Sequence, residues 1–144
     1  MIRQYANEIY PRRLWVLTED DFDKFRKEFR IDDGGESQIA DDALWNRGAL
    51  TIRCMEAKTR TLGCAVILRH NWEYTLSNIL DIVSHEATHS TIHTSDTLGI
   101  GCSSDNSEPF CYLLGYYARC IGDYIEKNMG SKIVKDESKV SKDN

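Results

Sequence analysis

The sequence has no long apolar run and no recognisable leader segment. No stretch approaches the roughly 18 consecutive apolar residues that a membrane-spanning helix requires, so we expect no membrane span. Residues 1–15 also lack the apolar core that is typical of a secretory signal peptide. We therefore predict a cytoplasmic protein that has no signal peptide and no membrane partner.

Cysteine pairs of the kind that bind zinc are also missing. The five cysteines are Cys54, Cys64, Cys102, Cys111 and Cys120. Their number is odd and none forms a C-x-x-C pair, which favours reduced thiols and argues against a cysteine-based zinc site. We expect Cys54 and Cys64 to pack together as small apolar side chains across a hairpin rather than to form a bridge.

Net positive charge is lacking as well. The chain has 18 Lys and Arg residues against 23 Asp and Glu residues, and its formal net charge is −5. Phosphate contacts favour basic surfaces, so we expect no nucleic-acid partner. The apolar share of 41% is ordinary for a globular protein, and 144 residues suit one domain. We assign residues 1–130 to that domain and predict that the polar segment 131–144 is disordered.

Hydrophobic periodicity predicts an α+β fold. Alternating or short apolar runs indicate strands, and apolar residues at helical spacing indicate helices. The predicted elements are a buried strand at 14–17, a helix at 18–30, a short helical turn at 38–47, a β-hairpin of 50–56 and 62–69, and two long helices at 75–94 and 107–128. We expect a short mixed or antiparallel sheet that packs on the N-terminal helix and on the two long helices, which carry the metal site.

The stretch His85-Glu86-Ala87-Thr88-His89 is the strongest functional signal. Residues four apart on a helix lie about 40° apart around the axis and about 6 Å apart along it, so both imidazoles reach one side. Two neutral imidazoles at this spacing can hold Zn²⁺, which lowers the pKa of a bound water to about 7. Glu86 is the predicted general base for that water. The alternative is that two surface histidines share this spacing by coincidence.

A catalytic zinc ion usually has three protein ligands and one open position. His93 is nearest in sequence, but in a straight helix it lies about 12 Å along the axis from His85, too far to share one ion. Glu108 begins the second long helix, and the loop before it would let that helix fold back beside the first. We therefore predict Glu108 as the third ligand. The alternative is a first-turn glutamate that the helix dipole favours.

Three further polar residues are candidates for supporting roles. Tyr112, one turn after Glu108, or Tyr116 could donate a hydrogen bond to a developing oxyanion. Each tyrosine is also explained as a packing residue with a solvated hydroxyl. Asp81 lies one helical turn before His85 and is a candidate partner for an imidazole ring.

The HEATH motif, the loop rich in Ser, Gly and Asp, and the segment NSEPFCYLLGYYARCI together resemble the small zincin-like metallopeptidases of the gluzincin type. The similarity extends to short HEATH-containing proteins encoded by tailed phages of gut bacteria, which share the run E-P-F-x-Y-L-x-G-Y. It covers about residues 62–125. The resemblance implies that His85, His89 and Glu108 bind zinc and that Glu86 activates water.

The resemblance also implies a mixed sheet whose edge strand pairs with an extended substrate. Residues 62–69 would be that strand, with Val66 and Leu68 on the substrate-binding edge. One position departs from the family pattern. Gluzincins often have an acidic residue one turn after the third ligand, where it orients a histidine, and this chain has Tyr112 there.

The sequence thus predicts a small zinc-dependent hydrolase, specifically a peptidase that acts on a peptide or protein substrate. The rival hypothesis is a phage structural, cargo or binding protein that keeps the zincin scaffold without catalysis and has virion proteins as partners. Either protein would act in the host cytoplasm or in the virion. An open coordination position beside a groove favours the enzyme, and a buried site with four protein ligands favours the rival. The sequence does not separate a virion-maturation enzyme from a toxin-like peptidase with one target.

Overall fold

A computed structural model describes residues 1–31, 48–70 and 75–130. The predicted helical turn at 38–47 and the predicted disordered segment 131–144 lie outside these residues. In chain order, the described elements are β1 (Arg3–Ala6), β2 (Arg13–Thr18), a 3₁₀ turn (Glu19–Asp21), α1 (Phe22–Glu28), β3 (Phe29–Ile31), β4 (Ala49–Glu56), β5 (Leu62–Leu68), α2 (Leu76–Leu98) and α3 (Glu108–Met129). The predicted α+β class is confirmed.

The five strands form one mixed sheet in the order β1-β2-β5-β4-β3. β2 and β5 are parallel, and each other neighbouring pair is antiparallel. The parallel pair needs a long connection, and here the chain passes through α1, β3 and β4 between the two strands. The predicted hairpin corresponds to β4 and β5. The sequence does not predict β1 and β3, because edge strands of three or four residues carry too little periodic signal.

Side chains that alternate along the strands are buried in two apolar clusters, one on each face of the sheet. The cluster under the long helices includes Leu14, Val16, Val66, Tyr117 and Ile121. The cluster under α1 includes Trp15, Leu17, Phe25, Phe29 and Ile67. A fully buried side chain of this size contributes roughly 1.5–3 kcal/mol, so each cluster stabilises the packing of the sheet against the helices on its own face.

The structure assigns Cys54 and Cys64 to different clusters, which contradicts the predicted packing between them. In the β4–β5 register Cys64 is opposite Arg53, and Cys54 is opposite Gly63. A shift of one residue turns a side chain to the other face, so Cys54 packs toward α1 and Cys64 toward the long helices. Both are free thiols. Burial raises the pKa of Cys64 to about 12 and also raises the pKa of Cys54, so neither is a thiolate at neutral pH.

The capping residues at the two ends of helix α2 explain where it begins and ends. The Thr75 side chain caps the first turn by accepting a hydrogen bond from the Asn78 N–H group. The helix continues to Leu98, four residues beyond the predicted end at residue 94. It ends at Gly99, whose φ of 66° is a left-handed conformation that glycine adopts at little cost.

The two long helices run antiparallel on one face of the sheet. Thr97, near the end of α2, accepts a hydrogen bond from the Arg12 side chain. Tyr116, in the first half of α3, donates a hydrogen bond to the Ala6 carbonyl. Ala6 is paired with Arg13, so these two contacts lie at the same end of the sheet. The late part of α2 is therefore beside the early part of α3.

Candidate metal centre

The two motif histidines converge on the exposed side of α2. The Nε2 atoms of His85 and His89 are 3.0 Å apart, and the two ring centroids are 4.7 Å apart. Two nitrogens bound to one tetrahedral zinc ion, each at about 2.0–2.1 Å, would be separated by roughly 3.3 Å. The pair is therefore close to the geometry of a two-nitrogen chelate. The same separation also suits an N–H···N hydrogen bond between two neutral rings.

Glu86 points from α2 toward the sheet. Its side chain is buried, with 5% exposure, and accepts a hydrogen bond at Oε2 from the hydroxyl of Thr51 in β4. Thr51 therefore holds the carboxylate on the side of α2 that faces β4. The motif thus contributes two exposed imidazoles and a buried carboxylate that faces β4.

Strand β4, which carries Thr51, is only partly paired on its outer side by the strands that the structure describes. β3 pairs with β4 only at residues 54–56. In the part of the chain that the structure describes, residues 49–53 of β4 have no strand partner on that outer side. Free backbone N–H and C=O groups on such an edge can pair with an extended peptide. Thr51, whose hydroxyl contacts Glu86, lies in the middle of this range.

The strand predicted to form this edge is an interior strand instead. β5 pairs with β2 on one side and with β4 on the other. Val66 and Leu68 are completely buried under the long helices. The prediction that residues 62–69 bind substrate at an edge is wrong, because β2 occupies the side of β5 that would have to be free.

Glu108, the predicted third ligand, lies far from the histidine pair. A hydrogen bond of 2.7 Å between Thr94 and Tyr117 sets the two long helices side by side. His89 precedes Thr94 by five residues in α2, and Glu108 precedes Tyr117 by nine residues in α3. Because the helices are antiparallel, His89 and Glu108 lie on opposite sides of this contact. At about 1.5 Å per residue, their separation along the helix axes is about 21 Å.

Other residues do not replace Glu108 at the pair. Among residues 1–31, 48–70 and 75–130, no three His, Cys, Asp or Glu side chains form a group that could hold a metal ion. Asp81 lines a shallow surface pocket together with Ser84, His85, Thr88 and His89. The described residues thus contribute two candidate ligands, and the supporting role of Asp81 stays a prediction.

The predicted oxyanion donors lie on another side of the molecule. Tyr112 is 72% exposed and lines a groove between α3 and the β1–β2 connection, together with Tyr10 and Tyr116. The hydroxyl of Tyr116 donates to the Ala6 carbonyl over 2.6 Å, which anchors α3 to β1. The catalytic role predicted for Tyr112 therefore has no support in this geometry.

His93 continues the row of histidines along α2, with its ring centroid 6.2 Å from that of His89. It lines a cavity of about 320 Å³ that the sequence does not predict. Three arginines line the same cavity, and they come from separate places in the chain: Arg12, Arg30 and Arg53. Only the fold brings these side chains together, so no local motif could reveal them.

No protein-family model matches the chain, and comparison with curated proteins and with solved structures gives no match. The resemblance to gluzincin-type metallopeptidases therefore rests on the motif residues alone. Within the described residues, neither long helix has an apolar stretch sufficient to cross a bilayer.

Proposed function

We propose that this chain is a small zinc-dependent hydrolase, specifically a peptidase. The observation that carries the proposal is the 3.0 Å approach of the His85 and His89 Nε2 atoms; Glu86 follows His85 directly in the sequence. Two imidazoles four residues apart on a helix, with an adjacent carboxylate, are the recurrent arrangement of hydrolytic zinc sites.

The fit of these residues to zinc is partial. His85 and His89 would hold the ion, and the described residues provide no third ligand. Both histidines are exposed, so a water molecule can reach the pair from solvent. A bound zinc ion supplies Lewis acidity and a water of lowered pKa.

The neighbouring residues have complementary roles in peptide hydrolysis. Glu86 accepts a proton from water on its carboxylate and returns it to the leaving amine. The Thr51 hydroxyl keeps this carboxylate in position through its hydrogen bond to Oε2. Among the described residues, 49–53 of β4 have no strand partner on their outer side, and an extended peptide would pair with that side of the strand.

A Glu86→Gln substitution tests the proposal. The variant should retain zinc, measured by native mass spectrometry, because the amide leaves both imidazoles in place. It should hydrolyse a library of fluorescence-quenched peptides at least about 100-fold more slowly, because a general base contributes about 10²–10⁴-fold. Glu126→Gln is the matched control, since Glu126 is exposed on α3. Equal hydrolysis by the Glu86→Gln variant and the parent protein would refute the mechanism.

A non-catalytic binding module is the second candidate function. The incomplete ligand set among the described residues favours it, as does the hydrogen bond that gives Glu86 a structural partner in Thr51. Such a module would bind an extended segment of a phage virion protein along β4 without cleaving it. Retained peptide binding with no hydrolysis by the parent protein, at any zinc loading, would favour this function over the peptidase.

A further inference from the structure

The shallow pocket around the histidine pair is formed by one helix. Its described lining residues are Asp81, Ser84, His85, Thr88 and His89, and all five belong to α2. Both imidazoles are exposed, and their Nε2 atoms are 3.0 Å apart. The pair therefore lies on the outer surface of a single helix, where the surface of another molecule can approach it.

Two imidazoles fill only part of the coordination of a zinc ion. A structural zinc site almost always has four protein ligands, and a catalytic site has three with water in the fourth position. Within residues 1–31, 48–70 and 75–130, no third His, Cys, Asp or Glu side chain joins the pair. A second copy of the chain offers the same two nitrogens, and two pairs together make four ligands.

The side chains beside the pair suit a contact between two copies. Most homo-oligomers are two-fold dimers, in which the same surface patch of each copy faces the other. Ser84 and Thr88 flank the imidazoles and are small. Their hydroxyls already donate hydrogen bonds within α2, to the carbonyls of Leu80 and Ser84, each over 2.7 Å. A second copy could therefore cover them without leaving a buried donor unpaired.

Charge makes such a contact dependent on a cation. Each chain has a net charge of −5, and Asp81 adds a carboxylate to the pocket itself. Two copies that meet through this surface repel each other, and a divalent cation between them offsets the repulsion. A contact confined to a few turns of one helix also falls short of the roughly 1,200–2,000 Å² that a stable interface buries. Without the metal ion, the copies should therefore stay apart.

We infer that two copies of this chain share one zinc ion through the His85 and His89 imidazoles of each copy. The inference rests on the zinc-binding part of the proposed function and does not require hydrolysis. Four protein nitrogens leave no position for water, so the shared site would be inactive. Association would therefore regulate the proposed activity, which belongs to the single chain.

Titration of the metal-free protein with zinc chloride tests the inference. Native mass spectrometry gives the number of zinc ions per chain, and sedimentation velocity gives the fraction of dimer. We expect one zinc ion for every two chains, and dimers that form with zinc and dissociate when EDTA is added. Peptide hydrolysis per chain should fall as the protein concentration, and with it the fraction of dimer, rises.

His85→Ala and His89→Ala should each weaken the zinc-dependent association by more than about 100-fold. Each substitution removes two of the four nitrogens, and loss of a single outer-shell partner already costs roughly 10–100-fold. His93→Ala is the matched control, because His93 lies one turn beyond His89 in the same row but outside the pocket. His85 and His89 are exposed, so their replacement should leave the unfolding temperature of the metal-free protein unchanged.

The number of zinc ions per chain separates this inference from the proposed function. One zinc ion per single chain, with no dimer, would overturn the inference and retain the peptidase. Zinc-dependent dimers that form equally well in the His89→Ala variant would also overturn it, in favour of association through another surface. No zinc binding at all would overturn both. Zinc-bridged dimers whose single chains hydrolyse no peptide would refute the peptidase and retain the shared site.

Discussion

The two sides of helix α2 carry similar polar side chains in opposite surroundings. On the side that faces α3 and the sheet, Thr91 and Thr94 are buried, and each finds a partner within the protein. Thr91 donates to a carbonyl one turn back in α2, and Thr94 shares a hydrogen bond with Tyr117. On the exposed side, His85 and His89 approach each other directly. These two threonines therefore contribute to the fold, whereas the two imidazoles are accessible from solvent.

A substitution in the histidine pair on the exposed side of α2 should have the largest effect, which is a loss of zinc affinity. His89→Ala removes one of two candidate ligand nitrogens, so zinc affinity should fall by more than the roughly 10–100-fold that loss of an outer-shell partner costs. His93→Ala is the matched control, because His93 lies one turn farther along the same row. Competition with a fluorescent chelator measures both affinities. Equal zinc affinities of the His89→Ala and His93→Ala variants would contradict a specific role of His85 and His89 in binding the ion.

The buried side should give an effect on stability instead. Tyr117→Phe removes the hydroxyl that shares a hydrogen bond with Thr94 and should lower the free energy of unfolding by about 1–2 kcal/mol. Tyr112→Phe should change it very little, since Tyr112 is 72% exposed. Urea unfolding of the two variants gives the comparison. Equal stabilities would show that the shared hydrogen bond contributes nothing to the packing of α2 on α3.

Substitution of Glu108 should have the smallest effect on zinc affinity. Because its carboxylate is about 21 Å along the helix axes from His89, Glu108→Gln should leave zinc affinity unchanged. The same chelator competition measures it. A loss of affinity as large as that of His89→Ala would mean that Glu108 reaches the pair, and that α2 and α3 pack differently from the arrangement described here.

The HEATH spacing predicted the approach of His85 and His89, because residues four apart on a helix are fixed by the helix alone. The same kind of reasoning predicted the β4–β5 hairpin, where alternating side chains mark the strands. Both inferences concern residues that are close in sequence, and local geometry determines them.

Distances between elements could not be predicted in this way. The position of Glu108 depends on where α2 ends, and residues 95–98 extend the helix to Gly99 beyond the predicted end. The interior position of β5 depends on its pairing with β2, which is far away in sequence. The guanidinium-lined cavity needs both the sheet order and the helix position, so Arg12, Arg30 and Arg53 gave no signal as separate residues.

The location of the paired imidazoles in the middle of a 23-residue helix has a thermodynamic consequence. Their backbone is hydrogen-bonded for more than two turns on either side, so the 3.0 Å separation does not depend on a loop that must first become ordered. A ligand that bridges the two rings therefore does not have to order the backbone that carries them, because the backbone is already ordered in the helix. The loss of affinity to backbone conformational entropy is small for this reason.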